Sequence, residues 1–144
     1  MSITRQEKII QQMLNKTRTI AMIGASDDPK RVSNSVMQYL QAAGYRVIPV
    51  NPTIVGEKIF GETVYARLAD IPFNFELVDV FRRVDAIPGI VDEVLPLIKK
   101  SDIRYLWLQL GISDPDSAAR AEAAGLEVIM DYCLKIEHKR LLAG

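Results

Sequence analysis

The chain is poor in the residues that carry metal and thiol chemistry. Its 144 residues include one cysteine, Cys133, and one histidine, His138. A single cysteine excludes an internal disulfide framework. The two residues together fall short of a zinc site built from Cys and His ligands. No stretch approaches the roughly 20 consecutive apolar residues that span a bilayer. The N-terminus, Met-Ser-Ile-Thr-Arg-Gln-Glu-Lys, lacks the apolar segment of a signal peptide. A soluble cytoplasmic protein with no membrane partner is therefore expected. An excess of either charge is missing too: Lys+Arg is 18 and Asp+Glu is 18, a formal net charge of zero. Nucleic-acid binders draw affinity from a basic excess, so no nucleic-acid partner is expected.

What is present is an ordinary globular composition, 49% hydrophobic and 25% charged. A chain of this length suits one domain over residues 1–144. Five short apolar runs, residues 19–23, 46–50, 77–81, 105–108 and 127–130, read as strands. Their apolarity is continuous rather than alternating, which is how strands buried on both faces of a parallel sheet look. Helix-like periodicity fills the gaps. Val32, Val36, Tyr39, Leu40 and Ala43 share one face before the stop at Gly44. Asp85 is a candidate cap for a helix carrying Ile87, Ile90, Val91, Val94 and Ile98, in which Pro96 predicts a kink or an early end. Ser113 or Asp114 can cap a helix that starts at Pro115 and closes at Gly125. An opening helix is predicted over about residues 4–15. Residues 53–72, with Gly56, Gly61 and Pro72, read as a long connection with short pieces of structure. Ala42-Ala43-Gly44-Tyr45-Arg46-Val47 is echoed by Ala123-Ala124-Gly125-Leu126-Glu127-Val128, each a helix end, a glycine stop and a strand start. The pattern predicts a doubly wound α/β domain: a mainly parallel five-stranded sheet with helices on both faces.

In such sheets ligands bind outside the carboxyl ends of the strands, near the point where strand order reverses. The residues to inspect are Gly24-Ala25-Ser26-Asp27-Asp28-Pro29, then Asn51-Pro52, Arg82-Arg83, Gln109-Leu110-Gly111 and Asp131. Gly24 lets the backbone turn and approach a ligand closely. The amides of Ala25 and Ser26, the Ser26 hydroxyl and the start of the next helix suit a phosphate. Lys30, Arg31 and Ser33 add charge and donors, whereas Asp27 and Asp28 oppose an anion unless they point outward. The plain alternative is a junction that needs Gly24 for geometry alone. The usual dinucleotide fingerprint, Gly-x-Gly-x-x-Gly, keeps only its first glycine here. The acidic residue expected about 20 positions on, for a ribose 2′-OH, is replaced by Asn51-Pro52. Ordinary NAD binding is disfavoured on both counts.

Taken in order, Ile23-Gly24-Ala25-Ser26, Gly44-Tyr45, Val50-Asn51-Pro52, Val78-Asp79-Val80-Phe81-Arg82-Arg83 and Trp107-Leu108-Gln109-Leu110-Gly111 resemble the small CoA-binding proteins. These consist of one Rossmann-like domain, similar to the one that opens the α subunit of succinyl-CoA synthetase. The resemblance covers roughly residues 16–142, and Asp131-Tyr132-Cys133 with Ile136-Glu137-His138 look like the family's closing signature. It implies coenzyme A or an acyl-CoA as the ligand. The Gly24-Ala25-Ser26 loop would hold the pyrophosphate, and Asn51-Pro52 would border the adenosine. Lys30 and Arg31 would meet CoA phosphates; Phe81, Arg82, Arg83 and Gln109 would line the crevice further along. The phosphohistidine domain and the ATP-binding subunit of the synthetase have no counterpart in this sequence, so binding without catalysis is expected.

Other readings stay open at this stage. An NAD(P)-binding redox enzyme or sensor uses the same fold, and a regulatory subunit would pair with a separate acyl-CoA-metabolising enzyme. Monomer and homodimer are both compatible with the sequence. Cys133 is either a partner for a CoA thiol or a small buried hydrophobe. Glu137-His138 is either an acid–base pair or structural. Trp107, inside an apolar strand, is expected in the core. Asp79, also inside an apolar strand, requires a hydrogen-bond partner if buried.

Overall fold

The computed structural model of the chain describes residues 2–142. Helix α1 (Arg5–Lys16) leads into β1 (Thr19–Ile23), α2 (Val32–Ala42) and β2 (Arg46–Val50). Two short strands follow, β3 (Lys58–Ile59) and β4 (Glu62–Thr63). Then come β5 (Leu77–Val80), α3 (Ile87–Val94), α4 (Ile98–Ser101), β6 (Tyr105–Leu108), α5 (Pro115–Ala123), β7 (Glu127–Ile129) and α6 (Leu134–Leu141).

The main sheet has five strands in the order β2-β1-β5-β6-β7. Every pairing in it is parallel. From β1 the chain winds outward to β2, then returns past β1 to β5 and continues the other way. Strand order therefore reverses between β1 and β5, which makes their carboxyl ends the switch point. The fold is the doubly wound, Rossmann-like sheet that the alternation of runs predicts. Alternate strand residues explain its two layers. Ile20, Met22, Leu77 and Trp107 pack under α1, α2 and α6, against Leu14, Met37, Leu40 and Leu134. Ala21, Ile23, Val78 and Val80 pack on the other face, against Ile87, Val91 and Val94 of α3 and Ala121 of α5.

Local chemistry sets the element ends. The Thr4 hydroxyl accepts from the Glu7 amide while the Glu7 carboxylate accepts from the Thr4 amide, a capping box that starts α1 one residue later than predicted. Pro115 opens α5. Pro96 ends α3 in a 3₁₀ turn, Leu95–Leu97, from which α4 continues. Residues 53–72 hold the β3–β4 hairpin, whose turn residues Phe60 and Gly61 both have positive φ. They also hold a 3₁₀ turn, Leu68–Asp70.

Three local expectations need correction. Asp85 does not cap α3. It sits in a 3₁₀ turn, Val84–Ala86, paired with Arg83 at 3.4 Å, and Pro88 follows in the first turn of α3. Val32 and Ala43 are exposed, because the buried stripe of α2 runs through Ser33, Val36, Met37 and Leu40. The third and fifth strands each end one residue early, at Val80 and Ile129.

Candidate functional site

The site is built on the loop after β1. Gly24 has φ +83°, and a Cβ placed on it would lie 2.2 Å from the backbone oxygen of Phe81. The loop after β1 and the start of the loop after β5 thus touch, backbone to backbone. The ladder continues through this contact: the Phe81 N–H donates to the Ile23 carbonyl at 2.8 Å, and the Gly24 N–H to Val50 at 3.0 Å. Only glycine satisfies both the left-handed φ and the close approach.

Beyond Gly24 the loop carbonyls are tied back and the amides are left open. Asn51 Nδ2 donates to the Ala25 carbonyl at 2.9 Å, and Asn34 Nδ2 donates to the Ser26 carbonyl at 2.9 Å. Asn51 Oδ1 in turn accepts from the amide and hydroxyl of Thr53. Among the described residues, no protein acceptor meets the N–H groups of Ala25, Ser26 or Asp27, nor those of Val32 and Ser33 at the start of α2. Open amides beside the N-terminus of an 11-residue helix gather unpaired donors at its positive end.

The charges around it are arranged in a readable way. Asp28 is spent on a turn: its carboxylate accepts from the Lys30 amide at 2.9 Å and its carbonyl from the Arg31 amide at 3.0 Å. Its own amide donates to the Ser26 hydroxyl oxygen at 3.0 Å. Lys30, Arg31, Arg82 and Arg83 are all exposed. Arg83 pairs with Asp85. Ser33 is buried at the helix start, and Pro52 is exposed beside Asn51. Phe81 is half-buried and packs against the layer of α1, α2 and α6.

One strand over from β1, in β5, lies a second feature. Asp79 is completely buried at the centre of the sheet, in register with Met22 and Trp107. Its Oδ1 accepts from Gln109 Nε2 at 2.6 Å. Its Oδ2 has no partner among the described residues. Burial pushes the Asp79 carboxyl up to about 7, and the hydrogen bond from Gln109 opposes the shift only in part. Gln109 is the partner that the sequence left unnamed.

The remaining candidates fall elsewhere. Trp107 is buried in the core and donates from Nε1 to the Tyr132 carbonyl at 2.9 Å. Cys133 is buried at the start of α6. Glu137 bonds to Arg140 at 2.7 Å, whereas His138 Nδ1 lies 2.9 Å from the Tyr39 hydroxyl. The two are therefore held by different partners rather than by each other. Burial lowers the pKa of His138. Asp131 straps the ends of β6 and β7 by accepting from the Gly111 amide at 2.7 Å. No group of His, Cys, Asp and Glu among the described residues is arranged to hold a metal ion. No described helix is long and apolar enough to cross a membrane.

A protein-family model described as a CoA binding domain matches residues 18–139. The chain belongs to the CoA-binding domain family. Among its relatives is the uncharacterized protein YneT of Bacillus subtilis (strain 168), 36% identical over 129 residues, which are 90% of this chain and 91% of YneT. A solved structure from Thermus thermophilus, cell-free ID.343, is 40% identical with a TM-score of 0.88, covering 94% of this chain and 98% of that one. The fold alone is shared with the dinucleotide forming acetyl-coenzyme A synthetase 1 of Ca. Korarchaeum cryptofilum, at 20% identity and a TM-score of 0.63. There 77% of this chain matches 25% of that one.

Within this CoA-binding domain, the structure gathers Gly24, Ala25, Ser26, Ser33 and Asn51 into one loop system, with Phe81 against Gly24 and Gln109 two strands away. Sequence reasoning missed Asn34, which locks the loop from α2. Its signal was visible: a polar residue one turn before Met37, on the buried stripe of the helix.

Proposed function

We propose that the crevice binds coenzyme A or an acyl-CoA, with the Gly24-Ala25-Ser26 loop taking the pyrophosphate. The observation that carries this reading is the set of open N–H groups at the switch point of a CoA-binding domain. A pyrophosphate offers only acceptors, and backbone donors backed by a helix dipole are what it needs. The exposed Lys30, Arg31 and Arg82 supply charge for it and for the ribose phosphate. Arg83 adds to that field from outside its pair with Asp85. Asn51 keeps the end of β2 free of a carboxylate that would repel the ribose phosphate. The adenosine then borders Asn51 and Pro52, while the thiol-bearing arm runs toward Phe81 and Gln109.

The same chain performs no chemistry on the ligand. The buried Cys133 and the separate engagements of Glu137 and His138 support this part of the reading. Native mass spectrometry of protein purified without added ligand, followed by thermal shift with CoA, NAD(H) and NADP(H), tests the proposal. A CoA-type mass and a stabilisation of about 2.7 kcal/mol at one hundred times Kd are expected. Absence of both sinks it, and selective stabilisation by a nicotinamide dinucleotide would move the protein to the redox class.

A further inference from the structure

We propose that Asp79 is a positioning residue. It fixes Gln109 so that the side-chain carbonyl faces the crevice and accepts an N–H or O–H from the uncharged arm of the ligand. The identity of that ligand rests on the CoA reading above.

The two ends of a glutamine amide have nearly the same shape and opposite hydrogen-bonding character. Something must decide which end faces a ligand. In this chain Gln109 is 4% exposed, and its Nε2 is committed to Asp79 Oδ1 at 2.6 Å. Its Oε1 has no hydrogen-bond partner among the described residues and is not fully buried, so part of it is open to solvent just past the end of β6. Among the described residues Asp79 makes no other side-chain bond, and its Oδ2 is a buried atom left orphaned. A hydrogen bond confined to one neighbour, inside an otherwise apolar strand, acts on that neighbour alone.

Position decides what Gln109 meets. It follows β6, one strand beyond β5 and on the opposite side of β1 from Asn51. With phosphates on the loop after β1 and adenosine toward β2, the arm of the ligand crosses β5 and β6. That arm carries amide N–H groups and a hydroxyl. An outward carbonyl attracts these donors and repels phosphate oxygens, so it selects the neutral end of the ligand for this side of the crevice.

The test is a double-mutant cycle on CoA affinity, read by calorimetry, with Asp79→Leu, Gln109→Met and the double variant. Loss of one neutral hydrogen bond predicts about five- to tenfold weaker binding for each single variant. The double variant should be no weaker than either, because both remove the same contact. Asp79→Asn, which keeps an acceptor for Nε2, should restore affinity to within about twofold. ADP, which lacks the arm, should bind all variants alike. In the ligand-free protein, the Gln109 side-chain amide resonances should shift in Asp79→Leu and stay in place in Asp79→Asn. Losses that multiply in the double variant, or an Asp79→Asn protein as weak as Asp79→Leu, overturn the positioning role. Gln109 resonances indifferent to Asp79→Leu overturn it without reference to any ligand. A wild-type protein that takes no CoA overturns the reading of the ligand instead.

Discussion

Replacing Asp79 by asparagine should make the stability of this protein depend less on pH, in a defined window and with a defined sign. Asp79 is fully buried, and its carboxyl is pushed up to about 7 from an ordinary 3.8. The folded state therefore holds the proton more tightly than the unfolded state. Below about pH 4 both states are protonated, and the residue costs nothing through ionisation. Between about 4 and 7 the unfolded chain ionises first, so the penalty on folding grows. Above the folded value both states are ionised and the penalty is complete. Three units of displacement at about 1.4 kcal/mol each come to about 4 kcal/mol, of which about 3 kcal/mol develops between pH 4.5 and 8. Asparagine keeps the shape and the acceptor for Gln109 and does not titrate. Its buried NH2 adds an offset that is the same at every pH. Urea unfolding of both proteins at half-unit steps from pH 4.5 to 8 isolates the effect as a difference, since every other titrating group cancels. The stability of Asp79→Asn relative to wild type should rise by about 3 kcal/mol across the series. A difference that stays flat within about 1 kcal/mol would refute the account of Asp79 as a buried acid.

The loop after β1 gives two more expectations. Gly24→Ala must place a Cβ 2.2 Å from the Phe81 backbone oxygen at φ +83°. It should cost about 2–4 kcal/mol in thermal unfolding and abolish CoA binding in the folded remainder. A variant of wild-type stability would show that the two loops do not touch. Ser26→Ala and Arg31→Ala should each weaken CoA about tenfold by calorimetry. Their ligand-free stability should hold to within about 1 kcal/mol, because Arg31 is exposed and the Ser26 hydroxyl accepts a single loop hydrogen bond. If both collapse the fold, the loop is structural and the phosphate reading fails.

The sheet was legible in the sequence for a physical reason. A strand buried on both faces must be continuously apolar, and the five runs that meet this condition are the five strands, with errors of one residue at the ends of β5 and β7. The start of α3 was misread because the sequence offers Asp85 as a cap, whereas the chain enters through a 3₁₀ turn. The place to look for a site was legible too, since the switch point follows from where strands end. The internal wiring was not. Asn51 reaches Ala25 across 26 residues, and Gln109 reaches Asp79 across 30. Neither pairing leaves a periodic trace, because each depends on which strands become neighbours. The resemblance implied that Asn51 borders the adenosine, but not that both ends of its amide also brace the loop.

Two of the residues that break local rules, Gly24 and Asp79, lie together. Gly24 ends a buried strand in a left-handed conformation, and Asp79 places an acid at the centre of a parallel sheet. Met22 and Asp79 face each other in register, and one step on from Ile23 and Val80 the chain reaches Gly24 and Phe81. Both exceptions therefore flank one junction, that between β1 and β5, where strand order reverses. Gly24 lets two loop backbones close there while the amides stay open, and Asp79 commits the donor end of Gln109 and leaves its acceptor free. On the proposed reading, one exception presents donors for the charged part of the ligand and the other an acceptor for its neutral part. A crevice that offers both is suited to a molecule with phosphates at one end and an amide-bearing arm at the other.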